Sequence, residues 1–136
     1  MAYFLAKSEP DNYSIADLER DGQTVWDGVK NNAALLAIRA MRPGDIVLIY
    51  HSGGESAIVG TAEVLSEPRP DPNEPKSWVV DVRYRGRVTP PVTLRQVKES
   101  GQFADFALVR QSRLSTMPVP PAFIDWLREA HRATIP

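Results

Sequence analysis

The sequence contains no cysteine, so neither a disulfide nor a thiolate metal site can form from its own residues. Its two histidines, His51 and His131, are too few for a dedicated zinc site unless carboxylates complete it. No apolar run approaches the roughly 20 residues of a membrane helix, and no stretch has the pattern of a secretory leader. An excess of one charge is also missing, since the formal net charge is -1. That balance excludes a protein that coats nucleic acid by bulk electrostatics, because such affinity grows with the phosphates neutralised. It leaves room for a small reader with one pocket and a few phosphate contacts. A cytoplasmic location is expected, with nucleoid association or the nucleus as variants. No cofactor, metal or membrane partner is expected.

What is present is ordinary for a globular chain: 136 residues, 43% hydrophobic and 24% charged. Residues 1–136 are read as one domain with its own core. Tyr3-Phe4-Leu5-Ala6 reads as a strand that Pro10 prevents from continuing, which leaves Lys7 and Ser8 at a strand end. Ser14 and Asp17 have capping-box spacing before a short helix over Ile15 to Arg20. Ala33 to Met41 reads as a second helix, with Ala34, Ile38 and Met41 on one face. Ile46 to Tyr50 and Ala57 to Val64 read as strands around the Ser52–Ser56 tip, and Gly60 marks a bulge or a close approach.

Pro68, Pro70, Pro72 and Pro75 define a loop expected to be mobile and unable to pair as a sheet. Trp78, Val80, Val82 and Tyr84 then alternate with Val79, Asp81, Arg83 and Arg85, the best strand signal in the chain. Thr93 and Gln96 form a second capping box; Met117-Pro118-Val119 reads as an edge strand, and Pro121 opens a last helix. Trp78 and Trp126 fall on apolar periodic faces and are assigned to the core, and His131 to the surface near a fraying end. Short strands alternating with short helices point to an α+β fold with a curved or barrel-like sheet.

The stretch Trp26-Asp27-Gly28-Val29-Lys30-Asn31-Asn32 stands apart. It reads as a loop, with Asn31 or Asn32 capping the following helix and orphan N–H groups in that helix's first turn. An aromatic face, amide edges and free backbone donors together can hold a flat polar ring. Taken alone, the same loop also fits a buried tryptophan and an ordinary cap.

Lys7-Ser8-Glu9-Pro10, Tyr13-Ser14, Trp26-Asp27-Gly28-Val29, Tyr50-His51-Ser52 and Arg110-Gln111-Ser112-Arg113-Leu114-Ser115 occur in the order and spacing of an EVE domain. From about Tyr3 to Leu127 the chain resembles that family and the thymocyte nuclear protein family. The resemblance implies a PUA-like fold, a strongly bent β-barrel flanked by short helices. It also implies kinship with YTH domains, which read methylated adenine in RNA, and a non-catalytic role in binding a modified base, chiefly modified cytosine in DNA, with RNA as a further ligand. Carried over, the pocket comprises Lys7, Ser8, Trp26, Asp27, Gly28, Val29, Tyr50, His51, Ser52, Ser112 and Leu114, to which Asn31 is added from its own chemistry. Trp26 is the stacking candidate and Tyr50 the second. Lys30, Arg110 and Arg113, with Lys7, are the cations placed to meet phosphate. Taken alone, His51 reads as a hydrogen-bonded structural histidine; the family pattern makes it a pocket wall.

The chain departs from the family pattern at Lys30, where arginine is usual, and at Asn32-Ala33, where an aromatic or proline followed by glutamine is usual. Two other classes compete. One is an enzyme resembling the ASCH amidohydrolases, with Lys7, Ser8, Asp27 and His51 available for proton transfer. Adjacent strand residues point to opposite faces, which weighs against a Lys7–Ser8 pair. The other is a protein-interaction module docking through the proline loop.

Overall fold

The computed structural model describes residues 1–136. In chain order the elements are β1 (Tyr3–Ser8), α1 (Ile15–Asp21), β2 (Gln23–Trp26), α2 (Asn32–Ala40), β3 (Ile46–His51) and β4 (Ala57–Val64). There follow β5 (Arg69–Asp71), β6 (Glu74–Thr93), α3 (Leu94–Glu99), α4 (Ala107–Arg110), β7 (Thr116–Pro118) and α5 (Pro121–Ala130). The strands form one mixed sheet in the order β2-β6-β4-β3-β1-β7, with β5 paired to β6. Its centre is the run of β3, buried from Ile46 to Tyr50. A strand covered on both faces needs no polar alternation. β3 runs parallel to β1 and antiparallel to β4, so the ends of β1 and β3 lie side by side, with Lys7 opposite Tyr50 and Ser8 opposite His51.

Local signals act as their chemistry predicts. Ser14 Oγ accepts from the Asp17 N–H at 3.1 Å, and the Asp17 carboxylate accepts from the Ser14 N–H at 2.9 Å. Asn31 Oδ1 accepts from the N–H groups of Ala33 and Ala34, at 2.8 and 3.2 Å, and so starts α2. α2 buries Ala34, Leu35, Ala37 and Ile38 and leaves Leu36 66% exposed. Gly60 sits at a break in the β3–β4 and β4–β6 registers, where a Cβ would run into the Ile15 side chain and stand 2.8 Å from the Gly86 carbonyl. Only glycine lets α1 and β6 approach that closely.

Four expectations are corrected. The sheet is bent but not closed into a barrel, since β2 and β7 end it without pairing to each other. The proline stretch does pair: Arg69 and Pro70 face Val79 and Trp78, and Asp71 faces Glu74. Pro70 fits because β5 is a short outer strand, where a missing N–H donor is tolerated, while Pro68 and Pro72 lie outside the strands and Pro75 is near the start of β6. Trp26 is the last residue of β2 rather than part of the loop, paired with Val80. Four residues beginning Gln-Thr are too short and polar to signal a strand by period alone. The C-terminus is tied down, since the Tyr3 hydroxyl donates to the Pro136 carbonyl at 2.8 Å and Arg128 donates to the Ile135 carbonyl at 3.0 Å. His131 is accordingly half-buried, its ring edge-on to Trp126 at 4.5 Å.

Candidate functional site

Pro10 stops β1 from extending, and the chain turns away beside the end of β2. The turn is held by the Glu9 carbonyl, which accepts from the N–H groups of Asn12 and Tyr13, both at 2.9 Å. It is held again by the Ser8 hydroxyl, which donates to the Tyr13 carbonyl at 2.6 Å. Between this turn, the Thr24–Trp26 end of β2, the loop from Asp27 to Val29 and Ser115 lies a cleft of about 540 Å³. A volume of this size suits a small organic ligand.

The Tyr13 and Trp26 rings meet edge to face, with centroids 6.4 Å apart and planes at 83°. The Tyr13 hydroxyl donates to Asp21 at 2.9 Å, and burial is the largest cause holding the phenol above its ordinary pKa. Trp26 is 8% exposed. Gly28 has φ +76°, a left-handed conformation that glycine takes without strain. The loop is fastened from beneath, because the buried Ser77 hydroxyl donates to the Val29 carbonyl at 2.6 Å. Above that anchor the backbone N–H groups of Asp27, Gly28, Val29, Lys30 and Asn31 are unpaired. The Asp27 carboxylate is exposed and also unpaired. The lining therefore offers donors, one free carboxylate beside Glu9, and an apolar wall.

Lys7 occupies the back of the cleft. Its ammonium donates to the Ser112 carbonyl at 3.0 Å and lies 5.4 Å from the centre of the Tyr50 ring. Burial lowers its pKa, because removing water penalises the charged form. Lys7 and Ser8 thus donate to two separate carbonyls, and no bond joins them.

The residues expected at one pocket divide between neighbouring places. Lys7, Ser8, Trp26, Asp27, Gly28 and Val29 line the cleft. Asn31, Arg110, Ser112, Arg113 and Leu114 border a second hollow of about 330 Å³, joined to the first through the Lys7–Ser112 bond. Lys30 faces a third, with Glu74, Lys76 and Ser77. Arg110 lies 3.7 Å from Asp105, whereas Arg113 has no carboxylate partner. Tyr50, His51 and Ser52 stand behind Lys7 and Ser8 and do not line the cleft. His51 Nε2 accepts from the Ile15 N–H at 3.0 Å and so receives an orphan donor of α1. Burial first, and the Arg87 charge second, hold its pKa below the ordinary value.

Glu9, Asn12, Tyr13, Thr24, Val25 and Ser115 complete the cleft wall and were not legible as site residues. Glu9, Tyr13 and Ser115 nevertheless carried a signal, since each lies in a matched block, whereas Asn12, Thr24 and Val25 carried none.

Comparison with known proteins shows the family and the fold. The family model described as the EVE domain matches residues 2–130. The chain belongs to the EVE domain family. As an EVE protein it has the α+β, PUA-like architecture described above, with the sheet left open. It is 27% identical over 167 residues to rat (Rattus norvegicus) thymocyte nuclear protein 1, covering 96% of this chain and 74% of that protein. A protein from Rhodopseudomonas palustris solved by NMR is 40% identical, with a TM-score of 0.86 over 92% of this chain and 89% of its own. The crystal structure of human THYN1 protein in complex with 5-methylcytosine-containing DNA superimposes with a TM-score of 0.89 at 24% identity, over 99% and 100% of the two chains.

Proposed function

We propose that this EVE protein is a non-catalytic reader that takes one modified nucleobase, a modified cytosine in DNA, into the cleft between β1, β2 and the Asp27–Val29 loop. The observation that carries the reading is the run of unpaired backbone N–H groups in that loop, set beside Trp26 and Tyr13. A cytosine presents ring acceptors and one exocyclic amine. Backbone donors suit the former, and a free carboxylate such as Asp27 suits the latter. Val25, Trp26 and Val29 supply apolar surface for a substituent on the ring. The human relative's complex with 5-methylcytosine DNA supports the same ligand class.

Extruding a base from a duplex costs a few kcal/mol. Stacking on an aromatic side chain returns about 1–3 kcal/mol per base, and the hydrogen bonds add to it. Lys7 and Ser8, each engaged with a different carbonyl, favour binding over nucleophilic chemistry at the same place.

The test is a titration followed by tryptophan fluorescence, using matched oligonucleotides carrying cytosine, its 5-methyl and 5-hydroxymethyl forms, or methylated adenine, each as DNA and RNA. Tighter binding of one modified cytosine, with the base mass unchanged afterwards, is the expected result. A changed mass would make the protein an enzyme, and equal affinity for every oligonucleotide would overturn the reading.

A further inference from the structure

A second feature lies next to the cleft on the side away from Lys7. Ser77, whose hydroxyl holds Val29, also lines a hollow of about 210 Å³ with Lys30, Lys76 and Glu74. Lys76 in turn borders a further hollow of about 310 Å³, with Arg39, Trp78, Asn32, Leu35 and Leu36. The two hollows share a residue, and the first shares its anchor with the cleft loop. A continuous track therefore runs from Val29 past Lys30 and Lys76 to Arg39.

Its charges are free. Lys30, Arg39 and Lys76 make no ion pair, whereas Arg69 on β5 and Arg83, Arg85 and Arg87 further along β6 each meet a carboxylate. The Arg39 guanidinium lies over the half-buried Trp78 ring, 4.7 Å from its centre. Stacking keeps a guanidinium flat and removes part of its rotamer freedom while leaving its N–H edge outward. A fixed fork of donors is suited to the oxygens of a phosphate. Core packing explains Trp78 but not the three unpaired cations lined up beside it.

We propose that Lys30, Lys76 and the Trp78-supported Arg39 form a phosphodiester-binding track that holds the strand flanking the base in the cleft. This rests on the reading of the cleft as a base pocket. The track reads charge and backbone, so it contributes equally to modified and unmodified strands.

The experiment compares the full chain with the triple variant Lys30→Ala, Arg39→Ala, Lys76→Ala between 50 and 200 mM salt, on modified and unmodified oligonucleotides of DNA and RNA. Each lost phosphate contact removes about 0.9 from the log–log salt slope on duplex DNA and about 0.7 on single strands. Three contacts mean that the wild type loses about forty-fold in duplex affinity across this range beyond what the variant loses. All three side chains are exposed, so the thermal midpoint should barely move. The charge-retaining variant Arg39→Lys, Lys30→Arg, Lys76→Arg should keep most of the slope. Affinity for the free modified nucleoside should be the same in all three proteins.

An unchanged slope in the alanine variant, with preference for the modified strand intact, would overturn the track alone. Loss of preference in the alanine variant with no change in slope would also overturn it. No preference in the wild type would overturn the base pocket, and the track would then stand or fall on the slope. Slopes lowered equally on DNA and RNA would support recognition of the phosphodiester itself. A change on one of them alone would tie the track to that nucleic acid.

Discussion

The Ser77 hydroxyl, buried in β6, donates a 2.6 Å hydrogen bond to the carbonyl of Val29, 48 positions earlier in the chain. One bond thus fixes the loop that lines the cleft to the longest strand of the sheet. Ser77→Ala would leave the Val29 carbonyl buried and unsatisfied, at a cost of about 1–3 kcal/mol. Urea unfolding should show that loss, and binding of a modified oligonucleotide should weaken further because the loop loses its register. Full stability with weakened binding would mean that the bond positions the loop without stabilising the fold.

Trp26 is both wall and core. At 8% exposure within the main cluster, Trp26→Ala should cost about 3–5 kcal/mol and would test folding more than recognition. Trp26→Phe retains an apolar ring and removes the indole N–H. Its affinity for a modified strand should fall by up to about tenfold, the worth of one hydrogen bond, with the thermal midpoint lowered modestly. An unchanged affinity would remove the indole N–H from the recognition set.

His51 gives the fold a pH limit. Its Nε2 can accept from Ile15 only when neutral, and burial holds its folded pKa below the ordinary 6.5. The unfolded chain therefore binds that proton first, so the contribution is complete above pH 6.5 and is lost as pH falls through the folded pKa. Stability measured from pH 7.5 downward should drop below about pH 6.5 in the wild type. His51→Gln, with an amide oxygen able to accept from Ile15, should flatten that part of the profile. An equal acid slope in both proteins would assign it to the carboxylates.

Gly60→Ala should destabilise by about 1–3 kcal/mol, because the new methyl meets the Ile15 side chain and the Gly86 carbonyl. The paired change Gly60→Ala with Ile15→Val opens space on the α1 side and should recover part of the loss. Failure of that rescue would place the conflict on the Gly86 backbone.

Much of the fold is written in short-range chemistry. Both capping boxes, the Asn31 cap, the buried run of β3, the alternation from Trp78 to Tyr84 and the Pro118 edge strand involve residues within a few positions of one another. Their period and hydrogen-bonding chemistry are readable without a partner. The matched blocks likewise carried the family and the neighbourhood of Lys7, Ser8 and the Trp26 stretch.

Tertiary structure decided everything that depends on distant partners. The proline stretch pairs because β6 extends back to Glu74 and offers it an edge. Trp26 belongs to a strand because Val80 lies opposite. Lys7 is turned inward by a carbonyl 105 positions away, and His51 by an N–H 36 positions earlier. Trp78 was legible as an apolar strand residue, but the guanidinium lying on it comes from α2. Period and caps are set by neighbours along the chain, whereas a side chain's partner is set by which segments the core packs together.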